Sequence, residues 1–211
     1  MKIIHYDIVP EGILLSWLRK VRLRGFDRPF IYKEANLSIL SDVSPLLLAP
    51  PQRYVLKGTV ESVIDLAEAF EEHGVDVFSL RGAVRFWLEG SDPIKDQPIP
   101  FLPPIVEESF EPDGRKVGII NDGMHRAYAV KKLGRNLNIV LIKNIPPEYP
   151  YYAYAIKEGW AGVEEIAELT DGFKKKEYRI PDNYKALFRD FNEVFPGVQE
   201  QRKQTQSWLK E

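Results

Sequence analysis

Six consecutive residues, Asn121-Asp122-Gly123-Met124-His125-Arg126, bring an acid, a flexible backbone point, an imidazole and a guanidinium together. An apolar run ends at Ile120 and helical spacing resumes after Gly123, so Gly118 to Gly134 reads as strand, tight turn and helix. Glycine tolerates the left-handed backbone such a turn needs. The helix that follows starts with unpaired N–H groups and the positive end of its dipole, a ready site for a phosphate-sized anion. Arg126 adds a planar fork of donors, and His125 a donor whose charge varies near neutral pH. Asp122 is placed to hold Mg²⁺ on a polyphosphate or to act as a general base. Plainer roles fit the same residues: Arg126 paired with an internal carboxylate, His125 a satisfied core histidine, Asp122 a turn cap.

Composition narrows the chemistry. The chain has 211 residues, 44% of them hydrophobic, enough for one cored domain with elaborations. Its 29 basic and 31 acidic side chains nearly balance, so whole-molecule charge points to neither nucleic acid nor an anionic membrane. Cysteine is absent, which removes thiol nucleophiles, disulfides and cysteine metal ligands. No apolar stretch is long enough for a membrane span, and Met1-Lys-Ile-Ile-His-Tyr-Asp has no secretion-signal core, so a cytoplasmic location and no membrane partner are expected.

The elements around the turn follow from periodicity. Ile13, Leu14, Trp17, Leu18 and Val21 predict an amphipathic helix over 11–23, and Phe30-Ile31-Tyr32-Lys33 a short strand before Glu34. A strand or extended link is expected between Ser44 and Pro51. The strongest helix is predicted over Val60–His73, closed by Gly74, with Thr59 a good N-cap. Gly90 to Pro104 holds five prolines in a long loop. Strands are expected near Ile105-Val106, over Val117–Ile120 and over Asn138–Ile142, with Glu107 and Glu108 as a solvated strand edge. One or two helices are predicted over 149–169, and a final amphipathic helix over 182–195 with Tyr184, Leu187, Phe188, Phe191 and Phe195 inward. The run from Trp17 to Phe30 sets Arg19, Lys20, Arg22, Arg24 and Arg28 against Asp27 alone, the one local patch suited to nucleic acid.

Asp122-Gly123-Met124-His125-Arg126 resembles the signature turn of the ParB/sulfiredoxin-like superfamily. Pro50-Pro51-Gln52-Arg53 with the helix from Val60 to Gly74 resembles its first box, and Pro98-Ile99 with Pro104-Ile105-Val106 its strand entry. The resemblance covers about residues 43 to 145. It implies an α+β fold, a mixed sheet flanked by helices, with an N-terminal elaboration over 1–42 and a C-terminal helical extension over 146–211. Sulfiredoxin activity is excluded, because its nucleophilic cysteine is Met124 here. Ser62 stands where sulfiredoxins carry a phosphate-binding serine, and Thr59 where they carry a lysine, a charge that Lys57 is placed to replace. Arg53 is a weaker anion ligand. By likeness to free-serine kinases of the superfamily, Glu34 is a candidate base.

Two functions of different class follow from the resemblance. One is a Mg²⁺-dependent kinase using ATP or ADP, with CTP as a further option, on a small hydroxyl compound; Gly123, Met124, His125 and Arg126 hold the phosphates and Asp122 the metal. The other is a nucleic-acid-binding, nuclease or nucleotide-switch module, with Arg19, Arg22 and Arg24 extending the contact.

Overall fold

The computed structural model describes residues 1–195. In chain order its elements are β1 (Ile3–Pro10), α1 (Glu11–Leu18), β2 (Arg22–Leu23), β3 (Asn36–Val43), β4 (Leu48–Ala49), β5 (Tyr54–Leu56), α2 (Lys57–Glu71), β6 (Gly82–Leu88), β7 (Ile99–Phe101), β8 (Ile105–Phe110), β9 (Lys116–Asp122), α3 (Met124–Lys132), β10 (Leu137–Lys143), β11 (Glu164–Ile166) and β12 (Arg189–Asp190). The expected α+β class holds.

A five-stranded mixed sheet, ordered β3-β10-β8-β9-β4, carries the signature strand between β8 and β4. β8 runs antiparallel to β9 and parallel to β10, which pairs antiparallel with β3. Successive strand residues point to opposite faces, and both faces are covered. Val106, Ile120 and Ile139 meet α2 and α3 through Val63, Phe70, Ala127 and Val130, whereas Ile105, Val140 and Ile142 meet α1 through Leu14 and Leu18. A second sheet, β1-β6-β7, joins the first core through Val84 and Phe86.

Several expectations need correction. Residues 31–35 form bends rather than a strand, with Phe30 making a single bridge to Arg22. Helix α2 begins at Lys57 with Leu56 as N-cap, so Thr59 lies inside the first turn and caps nothing. The helices expected over 149–169 and 182–195 are absent; short 3-10 turns at Gly159–Gly162, Tyr184–Leu187 and Phe191–Glu193 stand there with β11 and β12. Backbone groups in this stretch bond to distant segments instead of to their own next turn: Tyr154 N–H to Glu177 O, Ile156 N–H to Pro50 O, and Glu164 N–H to Arg53 O. Leu187 and Phe195 do point inward.

Candidate functional site

Asp122 ends β9 opposite Ile105 of β8. The chain then turns at Gly123, whose φ of 94° is left-handed, and enters α3 with no side-chain cap. Ala127 N–H closes the first helical turn on Gly123 O at 2.9 Å. Ahead of it, the amides of Met124, His125 and Arg126 have no partner among the described residues. Three uncapped N–H groups therefore converge where the helix dipole is positive. The Met124 side chain turns into the core at 7% exposure, which leaves its amide as its only contribution.

Arg126 is buried, 9% exposed, and its Nη2 is ion-paired with Asp122 Oδ2. Of the two readings of this arginine, pairing with a carboxylate is the one found, and the partner is the other charged member of the turn. Its Nε is buried with no partner among the described residues, and its guanidinium carbon stands 5.6 Å from the Phe101 ring centre. The guanidinium folds over the turn: a Cβ at Gly123 would lie 2.9 Å from Nε, Nη2 and the Cα of Pro104.

His125 departs from expectation. Its Nε2 accepts the Leu56 amide at 3.1 Å, and burial, helped by the Arg126 charge, lowers its pKa to about 4. The ring is neutral at pH 7, with its proton on Nδ1, and is not a switchable cationic donor. It acts as a tie. Leu56 is the N-cap of α2, also without a side-chain cap, so the imidazole fastens one open helix N-terminus beside another. Below the unfolded value near 6.5 the unfolded chain takes up the proton and the folded chain does not. Stability is therefore expected to fall as pH drops from about 6.5 to about 4, by at most about 3 kcal/mol. Denaturant melts of the wild type and His125→Gln across that window check this. The difference between their pH slopes should vanish above pH 7; equal slopes throughout would contradict it.

The α2 residues are placed unevenly. The Ser62 hydroxyl donates to Gly58 O at 2.8 Å within the helix, and Lys57, at the first position, is exposed beside Glu61 at 3.8 Å. Thr59 is half-buried in the same first turn. Arg53 Nη1 lies 3.9 Å from Glu158 on the approach to β5. Glu34 is exposed in the bend before β3, the strand at the far edge of the sheet from the turn. Among the described residues no group of three or more His, Cys, Asp or Glu could hold a metal, so Asp122 belongs to no such cluster.

Four arginines of the basic run are engaged within the protein. Arg19 donates to the carbonyls of Lys33 at 2.9 Å and Ala35 at 3.1 Å. Arg22 bonds Arg28 O at 2.8 Å and stands 3.6 Å over Phe30. Arg24 and Arg28 approach Asp190 at 3.9 and 3.7 Å, and Arg28 also meets Glu193 at 2.6 Å. Acids from late in the chain thus meet Arg24 and Arg28, while Lys20 is exposed.

Sequence reasoning missed a network behind the turn. Glu107 is not a solvated edge but a buried carboxylate, 1% exposed, held by Arg189 Nε at 2.8 Å and Nη2 at 2.7 Å. Tyr32 OH donates to it at 2.5 Å, and Asn121 Nδ2 reaches both at 2.6 Å. Arg189 spends its remaining donors on the carbonyls of Leu187, Tyr149 and Pro150. Burial opposes the Arg189 charge, but Glu107 outweighs it and holds the guanidinium firmly protonated. The strand parity of Ile105 and Glu107 was the signal: both point to the same covered face. Glu108, on the opposite face, pairs at the surface with Lys116 at 2.7 Å.

Against known families, the model described as ParB CE domain matches residues 13–164, most of the chain and more on both sides than the stretch from 43 to 145. No curated protein matched the chain. No described helix is long and apolar enough to cross a membrane.

Proposed function

We propose, for a chain that belongs to the ParB CE domain family, that the turn at Gly123 binds the phosphates of ATP or ADP and that the protein moves a phosphoryl group to a small hydroxyl compound. The observation that carries this reading is the hydrogen bond from Leu56 N to His125 Nε2, which sets two uncapped helix N-termini side by side. Two such ends suit two linked phosphates better than one. Arg126, ion-paired with Asp122 through Nη2, keeps a buried Nε still to be satisfied.

Asp122 fits a magnesium ion carried in by the nucleotide, because that ion commonly binds through one or two carboxylates plus phosphate oxygens. Magnesium there would neutralise phosphate charge. In the transfer itself, the acceptor hydroxyl oxygen bonds to the terminal phosphorus, and the bond from that phosphorus to its bridging oxygen breaks. The shortened nucleotide leaves with the electron pair, and the hydroxyl proton passes to a carboxylate or to water. Little covalent chemistry is asked of the protein; positioning and charge neutralisation suffice.

The test is a thermal-shift panel of ATP, ADP, CTP, GTP and pyrophosphate with and without Mg²⁺, repeated on Arg126→Ala. A ligand at about 100 times its Kd stabilises by about 2.7 kcal/mol, a rise of several degrees, and the rise should vanish in the variant. Asp122→Asn should then abolish phosphoryl transfer while leaving the Mg²⁺-free nucleotide shift. Silence toward every nucleotide, with a salt-sensitive response to DNA or RNA lost on charge reversal at Arg19, Arg22 and Arg24, would replace this reading with the nucleic-acid module.

A further inference from the structure

β1 is the outer strand of its sheet, and among the described residues no strand pairs with its free edge. A bare edge is a template for another chain, and edges are normally blunted by charge, proline or a bulge. Over Ile3–Pro10 there is no lysine or arginine, proline comes only at the last position, and the single irregularity lies between Ile3 and His5. The register against β6 sets Tyr6 and Ile8 on one face and His5 and Asp7 on the other, with Ile4 the extra residue at the irregularity and Tyr6 packed against the core. Ile4 and Ile8 are 42% and 46% exposed. His5 and Asp7, on the face opposite Ile8, have side chains 53% and 41% exposed and 3.6 Å apart.

We infer that β1 pairs antiparallel with β1 of a second copy of this chain, about a two-fold axis through Tyr6. The sequence is self-complementary in this register. Each Ile4 then faces Ile8 of the other copy, and each His5 faces Asp7 of the other copy, so an imidazole N–H meets a carboxylate twice. Neighbouring registers lose this. A two-residue slip sets His5 against His5 in one direction and Asp7 against Asp7 in the other, and a one-residue slip turns the charged face onto the isoleucines. The paired strands join two sheets into one of six strands, ordered β7-β6-β1-β1-β6-β7. So short a seam falls near the lower size limit of specific interfaces, which makes the association reversible and concentration-dependent.

Analytical ultracentrifugation of the full chain, from about 10 µM to about 1 mM, tests this. The weight-average mass should climb from 24.3 kDa toward twice that value. Ile8→Lys, an edge lysine at an exposed position, should stay monomeric throughout. His5→Asp should weaken association by about tenfold or more, because it sets carboxylate against carboxylate, and the swap H5D/D7H should restore it. Asp7 also meets Arg85 at 3.1 Å, a half-exposed pair whose loss in the swap costs little fold stability. A wild type that remains at 24.3 kDa, a dimer indifferent to Ile8→Lys, or a swap no tighter than His5→Asp would each overturn the inference.

Discussion

Arg189→Met should destabilise the fold by about 3–5 kcal/mol, a fall of about 6–20 °C in melting temperature for a chain of this size. The energetic consequence is asymmetric. Arg189 and Glu107 are almost fully buried, and the guanidinium's contacts to the carboxylate and to three carbonyls leave it fully occupied. Removing the cation strands a buried carboxylate beside Tyr32 and Asn121, and the penalty is mainly that of the orphaned charge. The double variant R189M/E107L should therefore recover part of the loss. Calorimetric melts of both proteins check it; a single variant within 1 kcal/mol of wild type would mean that water reaches the pair. Because Arg189 comes from the end of the described chain, Tyr32 from before β3 and Glu107 from β8, this cluster pins three distant parts of the sequence around the strand that carries the turn.

Gly123→Ala should remove the anion response and also lower stability, by about 2–4 kcal/mol. Alanine at φ 94° carries a backbone penalty of about 1–3 kcal/mol. Its Cβ would also press at 2.9 Å on the Cα of Pro104, which is backbone and cannot swing away, and on the Arg126 guanidinium. Gly114→Ala separates the two effects, since Gly114 has φ 83° with nothing within 4 Å of the added carbon. The difference between the two melts measures the crowding at the turn. Equal losses, with nucleotide response kept in Gly123→Ala, would mean that the close approach has no role.

The strand-turn-helix unit was legible because three signals coincided within it: the apolar run to Ile120, the glycine, and helical spacing from Met124 onward. Helix α2 was equally plain, though its start at Lys57 was not, because Thr59 offers a capping hydroxyl that the chain leaves unused. The C-terminal stretch misled for a physical reason. Tyr184, Leu187, Phe188, Phe191 and Phe195 mimic a helical stripe, yet only Leu187 and Phe195 are buried while β12 pairs with β2 and Arg189 enters the core. At the site, the individual residues were visible but their partners were not. Nothing in the order of residues says that Asp122 takes Arg126 for itself, or that His125 is spent on the amide of Leu56. The His125 bond depends on how β5 is laid beside α3, which is set by long-range packing, whereas Asp122 and Arg126 stand only four residues apart. Likewise, Arg24 and Arg28 meet Asp190 and Glu193, more than 160 positions away in the chain.

The most direct test of the phosphate cradle is the backbone amide spectrum of the isotopically labelled protein titrated with Mg·ADP. The account predicts the largest shifts at Gly123, Met124, His125 and Arg126, with a second set at Gly58 and Thr59, and saturation at one equivalent. Shifts that leave both helix starts untouched while ADP binds elsewhere, or no change at millimolar ligand, would contradict it.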